Sequence, residues 1–210
     1  MISVKVGKCR VDILPIVKGL VSEAEKVREA YGGYEAYAAA LGIEEITALK
    51  HREEIEELQE LSEIDMVYVF RLSKFGEIES PTPAFCELVD LCSKDSMDVI
   101  PLDMNNEDFT EMYIKTVKTM EFVKEHRIAK KGMKKKFDMS SPESFAISWD
   151  EHLNKVKGYL KVSQKREEYM AAQIKDIARY RNSLLAVIET ERINNILKHL
   201  GNKEGGNNDG

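Results

Sequence analysis

The sequence has few of the residue patterns that build metal sites and disulfide frameworks. Its three cysteines, Cys9, Cys86 and Cys92, are odd in number, and none lies in a Cys-x-x-Cys motif. We therefore expect reduced thiols in a cytoplasmic protein and no zinc site. The four histidines are dispersed, without the spacing that places two imidazoles on one helix face. These absences predict a protein with no metal and no cofactor.

Long hydrophobic runs are also absent. The longest apolar runs have the length of a strand, and the first residues do not have the pattern of a signal peptide, so we expect no membrane association. The net charge of -6 argues against a general affinity for nucleic acid or anionic lipid. With 210 residues, 43% of them hydrophobic and 32% charged, the composition is typical of a globular protein with a sizeable core.

The usual signatures of a nucleophile or a phosphate-binding turn are missing as well. No serine lies in a Gly-x-Ser-x-Gly elbow, and the last apolar run is followed by Glu189-Thr190-Glu191-Arg192 instead of glycines. Because catalytic residues are often distant in sequence, this absence weakens an enzymatic interpretation without closing it.

What is present is a series of short apolar segments separated by amphipathic ones. The strands predicted from apolar runs and β-branched residues are 2–6, 10–17, 43–49, 66–70, 98–102 and 184–188. The predicted helices are 22–40, 52–61, 82–92, 106–125, further helices up to 181, and a last helix that ends at Gly201.

Alternating strands and helices predict an α/β protein with a mostly parallel sheet flanked by helices. We assign residues 1–104 to the first part of the α/β domain and residues 105–181 to a helical subdomain inserted before the last strand. Residues 182–201 form that strand and its helix, and we expect 202–210 to be a disordered tail.

The order of five landmarks, over roughly residues 9–200, resembles the TraB/PrgY family, which is related to erythromycin esterases and ChaN-like proteins. The landmarks are Ile13–Lys18, Ile46–Lys50, Val99–Asp103, Arg166–Ala171 and Leu185–Arg192. In the family they correspond to a strand with a Gly-x-x-His turn, a strand ending in glutamate, a strand ending in aspartate, an Arg-x-x-x-Met-Ala helix and a strand with a Gly-x-Gly-His turn.

Most of the polar residues that the resemblance implies are replaced. Lys18 replaces the first histidine, and Lys50 replaces the glutamate. Glu189 and Glu191 replace two glycines, and Arg192 replaces the second histidine. Among the acidic landmarks, only Asp103 is retained. Charged lysine and arginine neither ligate a metal nor act as a general base. The resemblance therefore implies a TraB-like pseudoenzyme that acts as a binding or interaction module.

The candidate ligand-binding residues are the charged positions of these landmarks: Lys18, Lys50, Asp103, Glu189, Glu191 and Arg192. If they converge at the strand ends, they either hold a small anionic ligand or pair with one another and with water. We expect convergence, with direct salt bridges as the favoured arrangement.

Two other functions stay open. A hydrolase with a rearranged site would use Asp103 together with one or more of Glu189, Glu191 and His51. An RNA-associated protein would use the lysine-rich segment 130–136, which has five lysines in seven residues. A solvated loop between helices is the simpler interpretation of that segment, and we expect no nucleic-acid binding.

An apolar stripe at helical spacing is formed by Met170, Ile174, Ile177 and Ala178. Its simpler interpretation is packing against the sheet. The alternative is a self-association surface, which would make the protein a homodimer.

Overall fold

A computed structural model of the chain describes residues 1–54, 61–122 and 124–201. Its strands are β1 (Ile2–Val6), β2 (Cys9–Ile16), β3 (Ala36–Ala39), β4 (Val99–Pro101) and β5 (Ser183–Glu189). They form one sheet in the order β1-β2-β5-β3-β4. β1 is antiparallel to β2, and the other neighbours are parallel. The predicted α/β class with a mostly parallel sheet is therefore confirmed.

The described helices are α1 (Glu23–Ala30), α2 (Ile43–Lys50), α3 (Glu63–Leu72), α4 (Pro83–Lys94), α5 (Asn106–Thr116), α6 (Thr119–Phe122), α7 (Glu125–Lys134), α8 (Pro142–Leu153), α9 (Lys157–Ile177) and α10 (Ile193–Leu200). Short 3₁₀ turns span Arg52–Glu54 and Thr190–Arg192. In the part of the chain that the structure describes, no helix has the length and apolar character needed to span a bilayer.

The centre of the sheet is formed by the most continuously apolar runs of the sequence. β5 is buried from Leu184 to Ile188 with no side chain accessible to solvent, and it lies between β2 and β3. Because a central parallel strand is covered on both faces, it reads as an apolar run without alternation. The predictions for β1, β2, β4 and β5 are confirmed, as is the helix that begins after Thr82.

Two predicted strands are wrong, because both segments are helices. Ser62 caps α3 by accepting a hydrogen bond from the Asp65 amide at 3.1 Å, so the β-branched run from residue 66 to 70 is helical despite its strand propensity. In α2, the Glu45 carboxylate accepts from the Gly42 amide at 2.7 Å. Ile46 and Leu49 are buried, and their spacing is that of a helix.

β3 is a strand that the sequence pattern does not predict. Residues 22–40 were predicted as one helix, but the helix ends at Ala30, and Ala36–Ala39 is a fully buried strand between β5 and β4. Alanine favours helices over strands, and here pairing on both sides overrides that preference.

The segment between β4 and β5 contains no strand within its described residues, as predicted for residues 105–181. The predicted helix 106–125 is broken at Val117, and the lysine-rich segment is not a loop, since α7 continues to Lys134. Predictions for residues 55–60 and for the tail 202–210 lie outside the described residues.

A second apolar cluster attaches the helical region to the sheet. Val17 and Leu20, which follow β2, are buried with Phe145 and Trp149 of α8. Tyr68 of α3 stacks on Phe145, with 5.5 Å between the ring centroids. This cluster brings α3 and α8 to the carboxyl end of β2.

The apolar stripe of α9 belongs to the main core. Met170 and Ile174 have no exposed surface, Ala178 is 7% exposed, and Ile177 packs against the same core. The stripe is therefore buried within the molecule and is not a self-association surface.

A substitution at Gly42 tests whether the start of α2 lies as close to the segment after β4 as the structure shows. A Cβ atom at this position would lie 2.5 Å from the carbonyl oxygen of Met104. We expect Gly42→Ala to lower the free energy of unfolding by about 1–3 kcal/mol, the usual cost of overpacking, measured by denaturant unfolding. Thr47→Ala, one turn further along α2 and exposed, should stay within about 0.5 kcal/mol of wild type. Equal stability of all three proteins would contradict the close approach.

Candidate functional site

The carboxyl ends of the parallel strands lie at one edge of the sheet and collect buried charges there. β4 is followed by Asp103, and β5 ends in Glu189 and continues into the turn with Glu191 and Arg192. We call these four residues the strand-end cluster. Open α/β sheets place their ligands at this edge, so its geometry decides between a binding site and a structural one.

Asp103 is held by an arginine from α9. The Nε and Nη2 groups of Arg166 both donate to Asp103 Oδ2, the former at 2.7 Å, and Oδ1 accepts from the Met104 amide at 2.8 Å. Asp103 is 6% exposed. Both carboxylate oxygens are therefore engaged, and the contact ties α9 to the end of β4.

Arg192 lies beside two glutamates. Its Nε is 3.5 Å from Glu189 Oε2, and the two side chains are 12% and 8% exposed. The separation is that of an ion pair without a hydrogen bond. Within the described residues, Arg192 Nε and Nη1, Glu189 Oε2 and Glu191 Oε2 are buried without a hydrogen-bond partner. This cluster is held together by charge, with directional contacts left unmade.

Charge and burial act in opposite directions on the arginine. Burial lowers the pKa of Arg192, but Glu189, Glu191 and Asp150 raise it further, so the net shift is upward. Arg192 is therefore a fixed cation at all accessible pH values.

Glu191 is a carboxylate of the strand-end cluster with a raised pKa. Burial and the neighbouring Glu189 raise its pKa to about 7, although Arg192 acts in the opposite direction. One arginine thus faces two glutamates, and the excess negative charge is relieved when Glu191 binds a proton.

Further carboxylates surround the strand-end cluster. Burial raises the pKa of Asp150 on α8 and of Glu167 on α9, and the charge of Arg192 opposes both shifts. Glu167 Oε2 accepts from Asn195 at 2.9 Å, which links α9 to α10. The sequence does not indicate Arg166 and Glu167 as members of this edge, although Arg166 opens the Arg-x-x-x-Met-Ala landmark.

Glu23 begins α1 and is 1% exposed. Lys26 Nζ lies 2.8 Å from Glu23 Oε1 and 3.1 Å from Glu143 Oε1. Burial raises the pKa of Glu23 despite the lysine.

Burial and the charges of Glu191, Glu189 and Glu23 raise the pKa of Tyr68. The phenol accordingly stays neutral, and its hydroxyl donates to the Lys18 carbonyl oxygen at 3.3 Å.

The predicted convergence of all the candidate residues is wrong. Asp103, Glu189, Glu191 and Arg192 lie at one edge, and Lys18 follows β2 at the same edge with an exposed side chain.

Lys50 instead pairs with Asp98, which precedes β4, at 2.9 Å. Since α2 runs back across the sheet from Gly42, its last residue lies at the opposite edge. The landmark Ile46–Lys50 is therefore helical, and it does not supply a strand end.

The remaining candidates lie apart from the cluster. His51 follows Lys50, and its Nδ1 is 3.4 Å from Glu54 Oε1 in an exposed position. In the described part of the chain, no group of three or more His, Cys, Asp or Glu side chains is arranged to hold a metal ion. The three cysteines are free, with Cys9 and Cys92 buried.

In comparisons with known proteins, the chain matches no protein-family model, no curated protein and no solved structure.

The charge imbalance of the cluster predicts a pH-dependent effect of Glu191→Gln. The pKa of Glu191 is about 7 in the folded chain, against about 4.3 for an unfolded glutamate. Folding takes up a proton between these values, so Glu191 makes the protein less stable as the pH rises through this range. At about pH 8 we expect Glu191→Gln to be more stable than wild type, by on the order of 1–3 kcal/mol, with the difference vanishing below about pH 4.

Urea unfolding at several pH values measures this difference directly. Glu168→Gln, at an exposed position of α9, is the control for the loss of one negative charge and should follow wild type. A difference between wild type and Glu191→Gln that does not change with pH would show that Glu191 does not titrate in this range.

Proposed function

We propose that this chain is a non-catalytic binding or interaction module, and that its strand-end cluster is structural. The observation that carries the proposal is the engagement of Asp103, the retained acidic landmark, by Arg166. A carboxylate that accepts two guanidinium hydrogen bonds at a position 6% exposed is poorly placed to activate water or to bind a metal.

The chemistry of Arg192 supports the same conclusion. Arg192 stands where the resemblance implies a histidine, and its guanidinium stays charged, so it cannot shuttle protons or donate a lone pair to a metal. Its side chain is 12% exposed, between the end of β5 and the helices that carry Asp150 and Glu167. An anionic ligand at this edge would have to displace glutamates that already pair with the cation.

In this proposal, the buried charges join the helical region to the sheet. Asp103 and Arg166 connect β4 to α9, and Glu167 and Asn195 connect α9 to α10. Buried ion pairs add little net stability compared with apolar packing, but breaking one partner is costly, so such pairs fix the relative position of the elements that carry them.

A hydrolase with a rearranged carboxylate site is the second candidate function. The observation that favours it is the pKa of Glu191, about 7, which suits a general acid or base at neutral pH. Asp103 and His51 do not support it, because the former is engaged by Arg166 and the latter is exposed beside Glu54.

The proposed function is tested by separating stability from activity at the Asp103–Arg166 pair. Arg166→Met leaves the buried Asp103 carboxylate without its partner, so we expect it to lower the free energy of unfolding by about 3–5 kcal/mol. Asp103→Asn leaves the half-buried Arg166 without its partner and should cost about 1–3 kcal/mol, with partial recovery in the double variant. Arg179→Met disrupts the exposed pair with Asp176 and should cost at most about 1 kcal/mol.

The same variants are assayed with carboxylic esters, phosphoesters and peptides, with and without added divalent metals. We expect no turnover by wild type above that of Glu191→Gln. Turnover that disappears in Glu191→Gln while its stability rises would contradict the proposal and favour the hydrolase, because active-site charges are commonly kept at the expense of stability.

Location and self-association are further parts of the proposal. A cytoplasmic location is supported by the three free cysteines, which are typical of a reducing compartment. For a homodimer, exposed apolar side chains are available on several elements, among them Phe70 of α3, 57% exposed, and Ile114 and Met120 of the helical region, each 71% exposed. Sedimentation velocity that finds only monomer across a wide range of concentrations would contradict the dimer.

A further inference from the structure

The amino edge of the sheet, opposite the strand-end cluster, carries an open cleft of about 400 Å³. One wall is the turn between β1 and β2, with Gly7 and Lys8, and the other is the segment that joins α9 to β5, from Ala178 to Asn182. We call it the amino-edge cleft. Its size is within the range of small-molecule sites, which is roughly 300–1,000 Å³.

Cations dominate the lining of the amino-edge cleft. Lys8, Lys175, Arg179 and Arg181 all line it, in a chain whose net charge is -6. A positive cleft in an acidic protein is a local feature that the overall composition does not produce, and it attracts anions selectively.

Two of these cations are not engaged in a direct hydrogen bond or ion pair among the residues that the structure describes. Arg179 pairs with Asp176 at 3.1 Å, and Lys175 Nζ donates to the His199 carbonyl oxygen at 2.6 Å. Lys8 and Arg181 are exposed and make no direct hydrogen bond or ion pair with any residue in the described ranges. Arg181 lies near enough to Glu35 for its charge to lower the pKa of that carboxyl. The carbonyl end of α9 at this cleft disfavours an anion, and Lys8 and Arg181 offset it.

The wall that carries Arg181 is fixed by the sheet. Glu35 accepts hydrogen bonds from the Asn182 amide and side chain at 2.8 and 2.7 Å, and the Asn182 carbonyl oxygen accepts from the Arg10 amide at 2.8 Å. The Asn182 hydrogen bonds and, to a smaller extent, the charge of Arg181 lower the pKa of Glu35, so this anchor stays charged. A wall held in this way loses little conformational freedom when a ligand binds.

An aromatic ring stands beside the cations. Tyr180 is 77% exposed and contacts no other ring among the residues described. Exposed tyrosines next to arginine and lysine offer a stacking face for a planar group together with charge for a phosphate. The cleft thus presents two features, cations and an aromatic ring, that are complementary to the phosphate and the planar group of one type of ligand.

We infer that the amino-edge cleft binds a small phosphorylated ligand with a planar ring, of the mononucleotide class. Its phosphate meets Lys8 and Arg181, and its ring lies on Tyr180. This inference goes beyond the proposed function, because it concerns the opposite edge of the sheet and holds whether or not the strand-end cluster is catalytic.

Titration calorimetry with adenosine 5′-monophosphate tests the inference, with adenosine and inorganic phosphate as separate probes. The nucleotide should bind saturably, and each partial probe should bind at least about tenfold more weakly, because each makes only one type of contact. Raised salt should weaken nucleotide binding.

Three variants assign the contacts. Lys8→Ala and Arg181→Ala should each weaken nucleotide binding by about tenfold, as expected for the loss of a charged hydrogen bond. Tyr180→Ala should weaken nucleotide binding and leave phosphate binding unchanged. Lys50→Ala is the matched control, since this exposed lysine lies at the same edge of the sheet but outside the cleft. All four side chains are substantially exposed, so equal unfolding midpoints are expected.

Several outcomes would overturn the inference. They are the absence of saturable nucleotide binding, nucleotide binding that persists in Lys8→Ala and Arg181→Ala, or equal binding of phosphate and nucleotide. A single-stranded RNA of about ten nucleotides that binds far more tightly than the mononucleotide, with a steep salt dependence, would identify a nucleic-acid surface instead.

Discussion

The contact between Asp103 and Arg166 is the constraint on which the arrangement of the two edges depends. It fixes one point of α9 at the carboxyl end of β4, and the buried residues Met170 and Ile174 then lead the helix across the sheet. Lys175, nine residues beyond Arg166 and about 14 Å along the axis, lines the amino-edge cleft. One helix thus relates the geometry of the strand-end cluster to that of the cleft.

The strand-end cluster is held together under an unfavourable charge balance. Glu189 and Glu191 share Arg192, and further buried carboxylates lie close by, so burial raises several pKa values at once. Such an arrangement contributes little net stability and penalises any displacement that separates the charges. The cluster is therefore better suited to fixing the position of the helical region than to stabilising the fold.

The parts of the fold that could be predicted are those in which local pattern and tertiary environment agree. β2 and β5 are long apolar runs, and they occupy the centre of the sheet. β3 could not be recognised, because four residues rich in alanine carry no strand signal and become a strand only through pairing with β4 and β5. In α3, the Ser62 cap outweighs a run of strand-forming residues.

The same causes decided how much of the candidate site could be predicted. Glu189, Glu191 and Arg192 follow a strand that the sequence identifies, and they were placed correctly at its end. Lys50 was misplaced because its segment was assigned as a strand, and a helix carries its last residue to the opposite edge. Arg166 could not be recognised as a site residue, since its partner Asp103 is 63 residues away and no local pattern connects them.

The outermost strands have a consequence for how this protein meets other molecules. β4 has three residues and includes Pro101, which lacks an amide hydrogen, and β1 presents exposed Ser3 and Lys5. Short edges, proline and lysine are the features by which sheets avoid pairing with strands of other chains. Partners of this protein should therefore contact its helices and loops and should not extend its sheet by adding a strand.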